Sequence, residues 1–355
     1  MRSPHEPELM DEKMDEKMTV EKLRKHLFEK TKAKFWDYDA NQISVGVEVE
    51  YFIARATDAS FQLATESEYM DTIICLKKDH GYHDRGLPDQ PGRVSRDTDS
   101  GFVVIKPDFA WHILEISLPP RKTPGEISQL LYNVLHEVDC ALSKAKLKRL
   151  DISCLPDRPK SMDLVKLDRL GQISQTFQPR RSDRPTQDPT FPAYIAATHV
   201  HLNVSSESTL TMMPRLYALD RIINEKFNRA RTFCGQSYEN VRTSMYRDTL
   251  GEDYLLHTYP IKPATNLAEL SDQMNRSPKL FPMDTFFPVR DMSYIRPTRY
   301  GTLEFRSACS YKNVEKIEEI VRWRLAQFIA ASGIFSKNPT AELQFLRQHL
   351  QKDSA

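Results

Sequence analysis

Apolar and acidic residues alternate over 45–53, VGVEVEYFI. In an extended chain Val47, Val49, Tyr51 and Ile53 share one face, while Glu48 and Glu50 share the other. The same period of two recurs at 197–204, ATHVHLNV, where Val200, Leu202 and Val204 oppose His199, His201 and Asn203. It recurs again in YGTLEFRSA at 300–308, where Leu303 and Phe305 oppose Glu304 and Arg306. FVVI at 102–105 and AWHILEISL at 110–118, joined by KPDF, predict a strand pair that carries Glu115 between Leu114 and Ile116. LDISCLP at 150–156 predicts one more strand.

Between these strands the period lengthens to that of a helix. Val20, Leu23, Leu27 and Phe28 predict an amphipathic surface helix from Thr19 to about Phe35. Ile127, Leu130, Leu131, Val134, Val138 and Leu142 predict a second, running to about Leu147 and opened by Thr123-Pro-Gly-Glu126 in the capping-box pattern. Leu216, Leu219, Ile223 and Phe227 predict a third over about 208–230, with Pro214 near its start, and 314–335 predicts a closing helix. Polar, turn-rich stretches at 79–101 and 176–192 read as long loops, and 232–290 reads as irregular. Strands interleaved with helices, several with polar side chains on one face, predict an α+β fold on an antiparallel or mixed sheet. No composition shift marks a domain boundary. The chain reads as a polar, frayed tail over 1–18 followed by a single domain over 19–355.

Composition narrows the partners. A net charge of +1 provides no global field toward nucleic acid or an anionic membrane. The longest apolar runs, such as FIAASGIF at 328–335, are too short to span a bilayer, and MRSPHEPELMDEKMDEKM lacks the apolar core of a signal peptide. A soluble cytoplasmic protein without nucleic-acid or membrane partners is the expectation. Cys75, Cys140, Cys154, Cys234 and Cys309 show no CxxC spacing, which argues for buried free thiols over a disulfide framework or a cysteine zinc site.

The polar strand faces carry the candidate chemistry. Alone, a Glu-x-Glu on a strand is ordinarily a solvated face, and Glu304 with Arg306 an ordinary ion pair. Together with Glu115 and the two histidines, these residues place several carboxylates and imidazoles in otherwise apolar strands. Two carboxylates spaced by two repel, and in a low-dielectric site one protonates unless a cation compensates. A hard divalent cation explains the set economically: carboxylate-rich sites suit Mg²⁺ or Mn²⁺, whereas zinc favours more His or Cys.

VGVEVEYFI, HILEISLPPRKTPGEI, ATHVHLNV and YIRPTRYGTLEFRSA occur in an order that resembles the carboxylate–amine ligase type of glutamate–cysteine ligase, within the glutamine synthetase-like superfamily. The resemblance runs from about Ser44 to about Ser336 and is strong in those four blocks. It implies a curved, mainly antiparallel, funnel-shaped sheet like the glutamine synthetase catalytic domain, with helices on its outer face. It further implies a single catalytic domain that takes ATP with Mg²⁺ or Mn²⁺. On this basis Glu48, His199 and Glu304 would hold the metal at the transferred phosphate, and Glu50 and Glu115 a second, with Asp108 as a further acidic ligand. Arg306, Arg296 and Arg299 would neutralise the nucleotide phosphates, and His201 would ligate metal or orient the substrate carboxylate. Glu48, Glu304 and Arg306 would then be the catalytic set. Arg93, Arg96, Arg180 and Arg181, in the two polar stretches, become candidate binders of substrate carboxylates. The implied reaction activates glutamate or a related acid as an acyl phosphate and couples it to an amine. Its partners are small-molecule substrates, and a homo-oligomer is compatible with it.

This sequence departs from the pattern in HILEIS, which lacks the more acidic surroundings of many relatives, and in MSYIRPTRYG, which lacks the usual Trp. It has 11 glycines and no GxxxxGK[ST] loop. These departures leave the amine open and suit a ligase recruited to another acceptor. Three rivals stay in view: an ATP-dependent phosphotransferase on the same fold, a mononuclear metal enzyme using His199, His201 and one carboxylate, and a catalytically silent nucleotide-binding relative.

Overall fold

The computed structural model describes residues 19–28, 43–55, 62–84, 91–159, 162–165, 184–188, 190–204, 206–250, 264–276, 294–298 and 301–332. Its centre is β1 (Val45–Arg55), hydrogen-bonded on both sides. The other strands of its sheet are β2 (Val94–Thr98), β3 (Gly101–Pro107), β4 (Ile113–Arg121), β5 (Leu147–Arg149), β6 (Ala197–Leu202), β9 (Ile295–Pro297) and β10 (Leu303–Cys309). They lie in the order β2-β3-β4-β1-β6-β10-β9, with β5 paired to the C-terminal end of β1, and every pairing is antiparallel. β7 (Thr232–Phe233) and β8 (Gln236–Ser237) form a separate two-stranded ribbon.

Alternation along β1 sorts the layers. Val45, Val47, Val49, Tyr51 and Ile53 are essentially inaccessible and join one large core. Into it pack α2 (Glu66–His80) through Tyr69, Ile73 and Leu76, and α3 (Pro124–Lys144) through Ile127, Leu131, Val134 and Val138. α4 (Met213–Phe227) adds Leu216, Ile223 and Phe227, and α7 (Val314–Ser332) adds Ile317, Ile320, Val321, Leu325 and Phe328. Each such aliphatic or aromatic side chain contributes about 1.5–3 kcal/mol by leaving water. On the opposite face Phe52 and Ala54 join a smaller cluster with Phe109, Ile113, Phe191, Tyr194, Phe233 and Met245. That face of β1 is therefore apolar toward its C-terminal end and acidic before it, at Glu48 and Glu50.

The helix ends show why the chain turns where it does. Thr65 and Glu68 form a reciprocal capping box on α2, and Gly81 closes that helix at φ 69°, where a Cβ would be strained. At α3 the Thr123 hydroxyl accepts from Glu126 N at 3.2 Å, but the Glu126 carboxylate accepts from Lys122 N at 2.9 Å. The expected box is thus only half formed, the carboxylate reaching one residue further back.

Several expectations need correction. The first helix is α1 (Val20–Phe28), and its predicted extension to Phe35 lies outside the described residues, as do the 1–18 tail and Arg180, Arg181 and Arg299. Residues 94–98 of the expected loop form edge strand β2, because Val94 pairs with Ile105 and enters the core. Residues 150–156 are not a strand: the pairing with β1 is made by Leu147–Arg149, leaving one isolated bridge, Cys154 to Ile195. The expected helix over 208–230 begins as a 3-10 turn at Glu207–Met212 and becomes α-helical at Met213. Among its described residues, the expected irregular region 232–290 holds two helices, α5 (Val241–Leu250) and α6 (Leu267–Arg276).

β10 carries a bulge opposite His199. Phe305 pairs with Val200 and Ala308 with Thr198, so Arg306 and Ser307 together face the single residue between them. Ser307 turns toward the helices and donates to Asp220 at 2.8 Å, and the Arg324 guanidinium bonds Asp220, Ser307 at 2.6 Å and Gln327 at 2.8 Å. Asp220 and Arg324 are both wholly buried. Breaking a buried pair by removing one member strands the other charge, so Arg324→Met is expected to cost about 3–5 kcal/mol in urea denaturation. Adding Asp220→Leu is expected to recover part of that loss, because no uncompensated charge then stays inside.

Candidate active site

The register of the sheet turns the acidic face into three rows running across the strands. In the first, Lys106 of β3 faces Glu115 of β4, which faces Glu50 of β1. In the second, Ser117 of β4 faces Glu48 of β1, which faces His199 of β6 and, beyond it, the bulge with Arg306. In the third, Gly46 of β1 faces His201 of β6, which faces Glu304 of β10, which faces Arg296 of β9. Directly opposed residues on one face stand about 4.5–5.5 Å apart at Cβ, so the polar side chains of each row are neighbours.

Distances follow the rows. Lys106 Nζ lies 2.8 Å from Glu115 Oε2, and Ser117 Oγ donates to Glu115 Oε1 at 2.9 Å. Glu50 Oε2 accepts from Ala197 N at 2.7 Å, and its Oε1 is 3.5 Å from His199 Nε2. His199 Nδ1 is 3.4 Å from Glu48 Oε2 and 3.7 Å from Glu304 Oε1. Arg296 Nε donates to Glu304 Oε2 at 2.8 Å and Arg306 Nη1 to Glu304 Oε1 at 2.7 Å. His201 Nδ1 is held by the Thr302 hydroxyl at 3.1 Å, while its buried Nε2 makes no hydrogen bond, Glu48 Oε1 standing 3.7 Å away. Glu50, Glu115, His199 and Glu304 are each at most 7% exposed.

Burial and neighbours divide these groups by charge. Burial works to raise Glu48, but His199 and His201 and the charge of Lys106 hold it well below the usual carboxylate range. Burial also opposes ionisation of Glu304, yet Arg296 and Arg306 keep its pKa low. Glu50 is pushed well above the usual range by burial and by Asp108, with Arg242 opposing. Burial likewise pushes Glu115 up to about 7, Lys106 opposing while Glu48 and Asp108 add to it. Lys106 itself is destabilised by burial but raised overall by Glu115, Glu48 and Asp108. Among the imidazoles, burial and then Arg306 push His199 down to about 3. His201 goes the other way: Glu304 and Glu48 outweigh its burial and raise it.

Glu48, Glu50, Glu115, His199, His201, Glu304, Arg296 and Arg306 are thus gathered on one face. Asp108, just beyond β3, acts electrostatically on both Glu50 and Glu115. Among the described residues, Glu48, His201 and Glu304 are the groups whose ligand atoms converge within 4.8 Å of one another. Two of the expected residues fall elsewhere. Arg96 points into the helix layer, 2.8 Å from Glu137 of α3 and over the Tyr82 ring, and Arg93 immediately precedes edge strand β2. Lys106, Ser117 and Arg242 were missing from the sequence-derived set. Arg242, on α5, is buried, lies 5.7 and 5.8 Å from the Tyr246 and Tyr294 rings, and interacts electrostatically with Glu50 and Arg306; its Nε and Nη1 make no hydrogen bond. No strand alternation signals it; only the acidic face it approaches does.

No protein-family model matches the chain, and no curated protein is similar to it in sequence. Solved structures do match. A bifunctional glutathione synthetase from Pasteurella multocida superposes with a TM-score of 0.51 at 12% identity, covering 87% of this chain and 41% of that one. A glutamine synthetase from Plasmodium falciparum gives 0.38 at 9% identity, covering 81% and 52%. A glutamine synthase homologue gives 0.36 at 9% identity, covering 88% and 61%. The chain therefore shares its fold with part of a synthetase and spans 41% of that protein's length. No helix among the described residues is long and apolar enough to cross a membrane.

The two histidines are expected to titrate in opposite directions. In side-chain NMR of the metal-free protein, His201 should take up its proton above pH 6.5 and His199 only near pH 3. Because the folded state disfavours protonated His199, its contribution to stability is present above pH 6.5 and is lost as pH falls from there toward 3.

Proposed function

We propose that this chain is an ATP- and divalent-metal-dependent ligase that activates a small-molecule carboxylate, glutamate or a related acid, and joins it to an amine. The observation that carries this is the convergence of Glu48, His201 and Glu304 on a partly buried sheet face, directly flanked by Arg296 and Arg306. Two carboxylate oxygens and one imidazole nitrogen suit a hard divalent cation such as Mg²⁺ or Mn²⁺. His201 fits that role: its Nε2 is buried and without a hydrogen bond, while Thr302 fixes the ring through Nδ1. His199, kept neutral by burial and Arg306, braces Glu48 from within the same row. The set holds one imidazole and two acids, which weighs against a mononuclear iron centre built on two histidines.

The chemistry asked of the protein is positioning and charge neutralisation. When bound, the cation supplies neutralisation of phosphate charge. Glu304 fixes Arg306 and Arg296 beside that position, where their positive charge would meet phosphate oxygens. A substrate carboxylate oxygen attacks the γ-phosphorus of ATP, the bond to the β-phosphate bridging oxygen breaks, and ADP leaves. The amine then attacks the acyl carbon, the carbon–oxygen bond to phosphate breaks, and an amide forms as phosphate and a proton depart. Arg242 supports an anionic substrate, since it brings unpaired N–H groups to the Glu50 end of the face. The synthetase-like fold is compatible with this reaction, and the substrate and amine are part of the proposal.

Glu48→Gln is expected to lower metal-dependent ATP consumption by at least about 10²-fold while circular dichroism stays unchanged. Undiminished turnover in that variant would sink the assignment. Product analysis across a panel of amino acids and amines separates the alternatives: free phosphate with an amide marks the ligase, and a stable phosphorylated product marks a phosphotransferase.

A further inference from the structure

The Glu50–Glu115 half of the face is built differently from the Glu48–His201–Glu304 half. Glu115 has both carboxylate oxygens engaged, one by Lys106 Nζ at 2.8 Å and the other by Ser117 Oγ at 2.9 Å. Glu50, directly across the ladder, has Oε2 engaged by Ala197 N at 2.7 Å. The Lys106 placement is fixed by register: it is the residue of β3 that pairs with Glu115, so its ammonium stands at the end of the same row. Each half borders a buried ring nitrogen without a hydrogen bond, His199 Nε2 beside Glu50 and His201 Nε2 beside Glu48. What separates them is the ammonium seated on Glu115.

We infer that the Lys106 ammonium is the resident counter-ion of Glu115, standing in for a second divalent cation on the Glu50–Glu115 row. Before nucleotide arrives, the chain therefore holds one tight divalent ion, at Glu48, His201 and Glu304. This rests on the metal-dependent function proposed above and sharpens it, since any further ion must enter with the nucleotide. It also gives Lys106 a positioning role: with Ser117 it fixes the Glu115 carboxylate at the substrate end.

The test is the stoichiometry of Mn²⁺ bound to the full chain without nucleotide, by calorimetry and by the electron paramagnetic resonance signal of free Mn²⁺. The wild type is expected to bind one tight ion. Lys106→Met is expected to bind a second within about tenfold of the first, since the unmasked carboxylates lose their counter-ion. Lys106→Arg is expected to stay at one. Two tight ions in the wild type, or one in a folded Lys106→Met, would overturn the role of Lys106 while leaving the proposed function standing. No tight ion in the wild type would instead overturn the metal-dependent function itself. Should Lys106→Met not fold, Lys106→Gln decides: a second tight ion supports the role of Lys106, and a stoichiometry that stays at one overturns it.

Discussion

The register of β1 is the constraint on which the rest of the molecule depends. Its odd-numbered residues are buried under four helices, and its even-numbered residues carry two carboxylates on the other face. A slip of one residue against either neighbour would send Glu48 and Glu50 into the apolar core and expose Val47 and Val49. Ionised carboxylates in that core would cost several kcal/mol each even after relaxation. The same hydrophobic pattern that stabilises the fold therefore fixes which groups meet on the acidic face. β4 and β6 obey it too: Leu114 and Ile116 flank Glu115, and Val200 and Leu202 flank His201.

Collecting four glutamates on a half-closed face is possible because each is compensated locally. Glu304 is gripped by two arginines, Glu48 by two imidazoles, and Glu115 by a lysine and a serine. These compensations are unequal, and the inequality makes the site directional. One end has strongly ionised acids beside arginines; the other has acids whose charge is suppressed, beside Arg242 with unpaired donors. The buried Asp220–Arg324 pair performs a related task beneath the sheet. It holds Ser307, and with it the bulge that lets Arg306 face the site although Ala308 has already rejoined the core.

Much of this was legible in the sequence because the period of two is a strong local signal. The alternations at 45–53, 197–204 and 300–308 placed Glu48, Glu50, His199, His201 and Glu304 on polar faces and pointed to an antiparallel or mixed sheet, while the mainly antiparallel form with helices on one face came from the resemblance. The losses have physical causes. β5 was missed in favour of LDISCLP because three residues of Leu147–Arg149 carry no period of their own; their strand character comes from pairing with Ile53, Ala54 and Arg55. α5 was missed because VRTSMYRDTL has little amphipathic contrast, so tertiary packing of Val241 and Met245 decides it. Arg96, in a stretch rich in turn residues, looked free to bind substrate, but Val94 two residues before it is core, which turns Arg96 toward Glu137.

Lys106 shows most clearly where a single chain stops informing. In sequence it lies nine residues from Glu115, in a KPDF segment that reads only as the connection of a strand pair. Its role arises when β3 and β4 pair with Lys106 opposite Glu115 and β4 and β1 pair with Glu115 opposite Glu50. Neither register is readable from one strand alone. The two histidines behave likewise. Spaced by two on one face of β6, they look interchangeable, yet one row's difference gives them opposite environments. His199 faces the bulge that brings Arg306, and its proton is driven off. His201 faces Glu304 and is braced by Thr302, so its free nitrogen is aimed at the acids. The residue types that make up the site are therefore set along the strand, whereas the division of labour among them is set across it.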